Sequence, residues 1–145
     1  LGNQGEELKA FHTRDGYGIK AIRHAGIEVA VITGRSSEIV QQRMTSLTVP
    51  YIYQGQENKL AAFAELQQIL GLQASQIAFI GDDLADWAVM QHCGLSVAVQ
   101  DAHPYLVLHA DYRCQLPGGF GAVRELCDLL LTAQGKFAEF SGSST

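Results

Sequence analysis

Short apolar runs alternate with amphipathic segments along the chain. Residues 27–32 (IEVAVI) form a β-branched run that ends at Thr33-Gly34-Arg35, as a strand buried on both faces does. Residues 51–53, 77–80 (IAFI) and 95–99 (LSVAV) predict further short strands, and residues 110–113 a last small one. Between them the period changes to that of helices. Residues 57–70 gather Leu60, Phe63, Ala64 and residues 66–70 on an apolar side and stop at Gly71. Residues 16–25 predict a helix with Ile19 and Ile22 on one face and Asp15 placed to cap it. A helix capped by Ser36 or Ser37 runs to about Leu47. Others cover residues 84–92, 104–109 and 121–133, the last with Val123, Leu126, Leu129 and Leu130 facing inward. Residues 5–13 (GEELKAFHT) alternate loosely after the turn signal GNQG and predict half of a hairpin or a flap.

Alternating strands and helices with short connections predict an α/β fold, a Rossmann-like parallel sheet with helices on both faces. The pattern shows no linker and no insert large enough to act as a cap domain. One domain is therefore expected over residues 1–140, with an N-terminal β-hairpin flap and a small polar tail, residues 141–145, expected to be flexible.

Composition narrows the partners. The 145 residues are 47% hydrophobic and 17% charged, an ordinary globular balance. A net charge of −5 with no basic stripe argues against a nucleic-acid partner. No apolar run is long enough to cross a bilayer and no segment resembles a signal peptide, so a cytoplasmic location is expected. Cys93, Cys114 and Cys127 are odd in number and fit no zinc spacing; among apolar neighbours they read as buried, reduced thiols.

In open α/β sheets, ligands gather beyond the carboxyl ends of the strands. One such end carries Thr33, Gly34 and Arg35; another carries Gly81, Asp82 and Asp83; the start of a helix between them carries Asn58 and Lys59. A hydroxyl, an ammonium and carboxylates at one edge suit phosphoryl transfer with magnesium, which takes oxygen ligands and keeps several waters. Adjacent side chains diverge, so one of Asp82 and Asp83 would hold metal while the other caps a helix or accepts hydrogen bonds. Asp86 returns one turn later to the same side. Taken singly, each feature also has a structural use: an aspartate pair after a strand serves as a helix N-cap, and Lys59 as a solvated helix residue. The order Thr, Lys, then GDD-x3-D is what joins them. His24, His92, His103 and His109 lack metal-like spacing and read as structural or solvated, and Trp87 reads as packing.

Thr33, Lys59 and GDDLAD resemble the second, third and fourth motifs of the haloacid dehalogenase-like phosphohydrolases. Across nearly the whole chain, EELKAFHTRDGYGIK, EVAVITGR, YQGQENKLAAF, IGDDLADWAVM, VAVQDAHP and GGFGAVRELCDLLLTAQGK resemble one group of them, the 3-deoxy-D-manno-octulosonate 8-phosphate phosphatases of Gram-negative bacteria. That resemblance implies a magnesium-dependent phosphoric monoester hydrolase of lipopolysaccharide inner-core sugar synthesis. It implies Asp82 as the metal ligand, with Asp83 and Asp86 behind it. Thr33 would bind the phosphoryl group, and Lys59 would stabilise nucleophile and phosphate. His12, Thr13, Arg14, Asp15, Gly16, Arg35 and Arg43 match substrate-binding positions, and Lys20 stands where many relatives carry arginine. The resemblance further implies a homotetramer in which a neighbouring subunit covers the site.

The chain departs from the family at the first motif. No aspartate precedes Asp15, so the attacking aspartate and its acid/base partner are absent from this sequence. The expectation is that the biological protein is longer, and that the sheet without its first strand carries exposed edges. Three other readings stand beside the leading one. One is a phosphatase for a nine-carbon sialic-type sugar phosphate, and another is an inactive remnant that oligomerises. The third, a receiver-type phosphoacceptor, would place its acidic pair near the start of the chain.

Overall fold

The computed structural model describes residues 13–138. His12, the flap expected over residues 5–13 except for Thr13, and the tail over residues 141–145 lie outside the described residues; Thr13 itself begins a helix, not a flap. Five strands, β1 Ala30–Ile32, β2 Tyr51–Tyr53, β3 Ala78–Gly81, β4 Leu95–Ala98 and β5 Tyr112–Arg113, alternate with helices α1 Thr13–His24, α2 Glu38–Ser46, α3 Lys59–Leu70, α4 Trp87–Met90, α5 Pro104–His109 and α6 Ala122–Ala133. Every pairing is parallel, so within each ladder the carboxyl ends face the same way. The expected single sheet is in two pieces among the described residues: β1 pairs with β2, and β3–β4–β5 form a second ladder. No described strand bridges β1 and β3.

Local chemistry explains where elements are shorter than the pattern predicts. β1 begins at Ala30 because Ile27 spends its N–H on Ile22 O at the end of α1, and the partner strand β2 offers only three residues. The helix expected over residues 84–92 opens as a 3-10 turn, Leu84–Asp86, before α4. Its chain then turns at Gly94, whose N–H donates to Ala74 O and Ile77 O. Only glycine fits there, since a Cβ would strike the Ser75 carbonyl.

Helix ends follow the sequence closely. Ser37 Oγ accepts from Val40 N at 3.2 Å, Asn58 Oδ1 accepts from Ala61 N at 3.2 Å, and Gly71 closes α3 at φ 65°. Asp15 is the exception. It lies inside α1 and does not cap it; its carboxylate accepts the Arg124 N–H at 2.9 Å. α6 starts after Gly121, which has no side chain to cap with, and Asp15 supplies that acceptor from another helix.

The core sits around β4. Val97, Ala98 and Val99 pack with Met90, Leu106, Cys114, Ala122 and Leu126. Ser96, buried in the same strand, exchanges hydrogen bonds with Asp111: each backbone N–H donates to the other's side chain at 2.9 Å. A second cluster joins Ile19, Met44, Leu47 and Val49, and a third joins Ala21, Ile22, Cys127 and Leu131 where α1 lies on α6.

All three cysteines are free. Cys114 and Cys127 are buried as expected, and Cys93 is half-buried. Burial, with the nearby Glu125 charge, pushes the Cys114 thiol up to about 12; burial, with Asp128 and Asp15, does the same for Cys127. Both thiols therefore stay protonated at pH 8, and the thiolate is the reactive form. A disulfide reagent at pH 8 is expected to modify Cys93 first, and the other two only after denaturant is added. Simultaneous reaction of all three thiols in the native protein would contradict this packing.

Candidate active site

Three parallel-strand ends and two loops border an open cavity of about 630 Å³. Ile32 and Thr33 reach it from β1, and Ile80, Gly81, Asp82 and Asp83 from β3. Lys59 and Asp86 line it too, with Val99, Asp101, His103, Gly118, Gly119 and Val123 closing the far side. The opening between β1 and β3 is thus where the predicted motifs converge.

Asp86 is the hub. It is 4% exposed, and its carboxylate accepts from Lys59 Nζ at 2.6 Å, from Asp82 N at 2.9 Å and from Asp83 N at 3.2 Å. Burial alone would push this carboxyl up. The Lys59 ammonium and the two backbone N–H groups outweigh burial and hold it below the ordinary carboxylate range. Gly81 makes room for this: a Cβ there would lie 2.6 Å from the Asp86 Cβ. Asp83 takes the capping role open to one of the pair. Its Oδ1 accepts from Leu84 N at 2.7 Å and it forms a reciprocal box with Asp86.

Asp82 behaves oppositely. Its N–H is bound to Asp86 and its carbonyl accepts from His103 N at 2.9 Å, but its carboxyl faces the cavity beside that of Asp86. Burial first, and then the Asp86 carboxyl, push it up against the pull of Lys59. A carboxylate held next to another, at the mouth of a polar cavity, is a site that a hard cation would relieve. Among the described residues no group of three or more His, Cys, Asp or Glu side chains forms a closed cage. Asp82 with water and a substrate oxygen is the kind of sparse oxygen set that magnesium accepts.

Thr33 Oγ1 accepts the Arg35 N–H at 3.2 Å. Its own hydrogen is therefore directed away from that bond and is available as a donor. Lys59 is 13% exposed in its side chain and uses one of three donors on Asp86.

The other predicted residues lie elsewhere. Thr13 and Arg14 open α1. Asp15 caps α6, Gly16 lies under the Arg43 guanidinium so closely that a Cβ would collide with it, and Lys20 is exposed on α1. None of Asp15, Gly16, Lys20, Arg35 and Arg43 lines the cavity. Asp101, His103, Gly118 and Gly119 also line the cavity, where none was expected. Their signal was present in the DAHP and GGxG segments, which carried the resemblance without an assigned role.

The family model for haloacid dehalogenase-like hydrolases matches residues 45–117. The 3-deoxy-D-manno-octulosonate 8-phosphate phosphatase KdsC of Escherichia coli K12 is 55% identical over 144 residues, covering 99% of this chain and 77% of the relative. Among solved structures, the 3-deoxy-D-manno-octulosonate 8-phosphate phosphatase of Yersinia pestis superposes with a TM-score of 0.92 at 54% identity, covering 94% of this chain and 74% of that one. The enzyme of the same description from Moraxella catarrhalis, solved with magnesium ion, phosphate ion and KDO, superposes with a TM-score of 0.94 at 39% identity. That match covers 100% of this chain and 83% of that one.

Proposed function

Because the chain belongs to the haloacid dehalogenase-like hydrolases, in the group that holds the KdsC phosphatases, we propose that it carries the phosphate- and metal-binding part of a phosphatase that hydrolyses 3-deoxy-D-manno-octulosonate 8-phosphate to the free sugar acid and orthophosphate, the family's attacking aspartate and its acid/base partner not being among these residues. The observation that carries this is the convergence of Thr33, Lys59 and Asp82 on one cavity at the ends of β1 and β3. Thr33 donates its hydroxyl hydrogen to a phosphoryl oxygen. Lys59, aimed by Asp86, offers its remaining donors to the phosphate and stabilises charge as it builds. Asp82 would hold magnesium, which when bound neutralises phosphate charge and orients the group for in-line attack. Gly81 lets Asp86 approach the turn and so keeps Lys59 and the backbone of Asp82 in register. The reaction serves lipopolysaccharide inner-core sugar synthesis in this reading.

Assembly is part of the same proposal. The cavity is open, and a homotetramer in which a neighbouring copy covers it would exclude water and complete substrate selection. Sedimentation at micromolar concentration is expected to give four chains per particle; a monomer throughout would remove this element.

The test of the activity is phosphate release by the full gene product from the eight-carbon substrate, with magnesium and after chelation. Release is expected with magnesium, to vanish with chelator and to return on readdition. A preference for the nine-carbon sialic-type acid phosphate would redirect the proposal to that substrate, and no release from either would end it.

A further inference from the structure

The DAHP and GGFGAVRE segments reach the cavity through Asp101, His103, Gly118, Gly119 and Val123. In the structure they form a single assembly on its far side. Asp101 Oδ1 accepts the Gly118 N–H at 3.0 Å, and Gln100 N donates to Leu116 O at 3.1 Å. The Glu125 carboxylate accepts from Gln115 N at 2.9 Å, from Leu116 N at 3.1 Å and from the Tyr112 hydroxyl at 2.7 Å. The loop that brings Gly118 and Gly119 to the cavity is therefore held at Gln115, Leu116 and Gly118.

His103 is held as firmly. Its N–H donates to Asp82 O at 2.9 Å, and its Nδ1 accepts from Tyr105 N at 3.0 Å. A neutral imidazole that accepts at Nδ1 carries its hydrogen on Nε2. Neither Nε2 of His103 nor Oδ2 of Asp101 has a hydrogen-bond partner among the described residues, and both residues are exposed and border the cavity. One wall of the site thus presents a donor and an acceptor whose orientations are set by bonds made behind them.

The charge of that wall says what it binds. A carboxylate at Asp101, in a cavity that already holds Asp82, repels a phosphate or a carboxylate. It attracts neutral hydroxyl groups, which donate to Oδ2 and accept from Nε2–H. We propose that Asp101 and His103 bind the hydroxylated carbon chain of the substrate and set specificity for a polyhydroxylated phosphate ester. This rests on the phosphatase reading above and adds to it the subsite for the leaving alcohol.

The test compares kcat/KM for the eight-carbon acid phosphate with that for p-nitrophenyl phosphate, which has no hydroxylated chain. Asp101→Asn keeps an oxygen to accept the Gly118 N–H, and His103→Asn keeps a good cap for Tyr105 N. Melting curves of both variants report whether the fold is intact. In each variant the ratio of the two kcat/KM values is expected to fall about tenfold or more, as for a lost hydrogen bond involving a charged or fixed polar group. A ratio equal to that of the parent in both variants, whether activities hold or fall together, overturns the proposal. A parent that hydrolyses neither ester brings down the phosphatase reading itself, and this subsite with it.

Discussion

Asp86→Ala is expected to lose about 3–5 kcal/mol of folding stability at pH 7, as seen when one member of a buried ion pair is removed. The carboxylate holds three partners, Lys59 Nζ and the N–H groups of Asp82 and Asp83. Without it a mostly buried ammonium and two backbone donors at a tight turn are left unsatisfied. Urea denaturation of parent and variant measures the difference. The sign with pH follows from the depressed Asp86 carboxyl. A group whose folded value is lowered contributes stability that is present above its unfolded value, near ~3.9, and lost as pH falls through the folded one. The gap between parent and variant should therefore be widest at neutral pH and narrow in acid. Lys59→Ala and the double variant complete a cycle in which the second loss is smaller than the first. Additive losses would show that the two side chains are not a unit.

The strands, helices and their caps were legible because they rest on short-range chemistry. The β-branched runs, Ser37, Asn58 and Gly71 act within one turn of the chain, and each does what its neighbours predict. Asp15 was misread for the complementary reason. Its partner, Arg124 N, lies 109 residues away, and α1 meets α6 only in three dimensions. Asp86 shows both sides. Its spacing from Asp82 and Asp83 announced a return to the same face, but its pairing with Lys59, 27 residues earlier, needed the β1–β3 opening to be seen. Asp101 and His103 stand in the DAHP segment, which carries the resemblance but names no role for them. Their meaning comes from Gly118 and Tyr105 behind them. Lys20, Arg35 and Arg43 were expected at the substrate from the resemblance, and among the described residues they stand off the cavity that holds Thr33, Lys59 and Asp82.

Asp82→Asn should part function from stability. The proposed reaction needs a charged oxygen at this position to hold the cation, and an amide is a far weaker ligand for one. Magnesium-dependent phosphate release is expected to fall by about a thousandfold or more, since the metal's charge stabilisation goes with it. The fold should not suffer. Burial and the adjoining Asp86 carboxyl push Asp82 up. A raised folded value means that the ionised group opposes folding above that pH, and that the opposition fades as pH falls through it. An asparagine amide removes the repulsion and can donate to Asp86. The metal-free variant should therefore melt at the same temperature as the parent or higher at pH 7, with the difference shrinking in acid. Magnesium should raise the parent's melting temperature by binding the native state and leave the variant's unmoved. A variant that keeps both the activity and the magnesium-dependent shift would place the ion on other groups. One that melts well below the parent would mean that the Asp82 carboxylate stabilises the turn instead of straining it. Asp86→Ala and Asp82→Asn, four residues apart, thus separate the carboxylate that builds the site from the one the site holds ready for a cation.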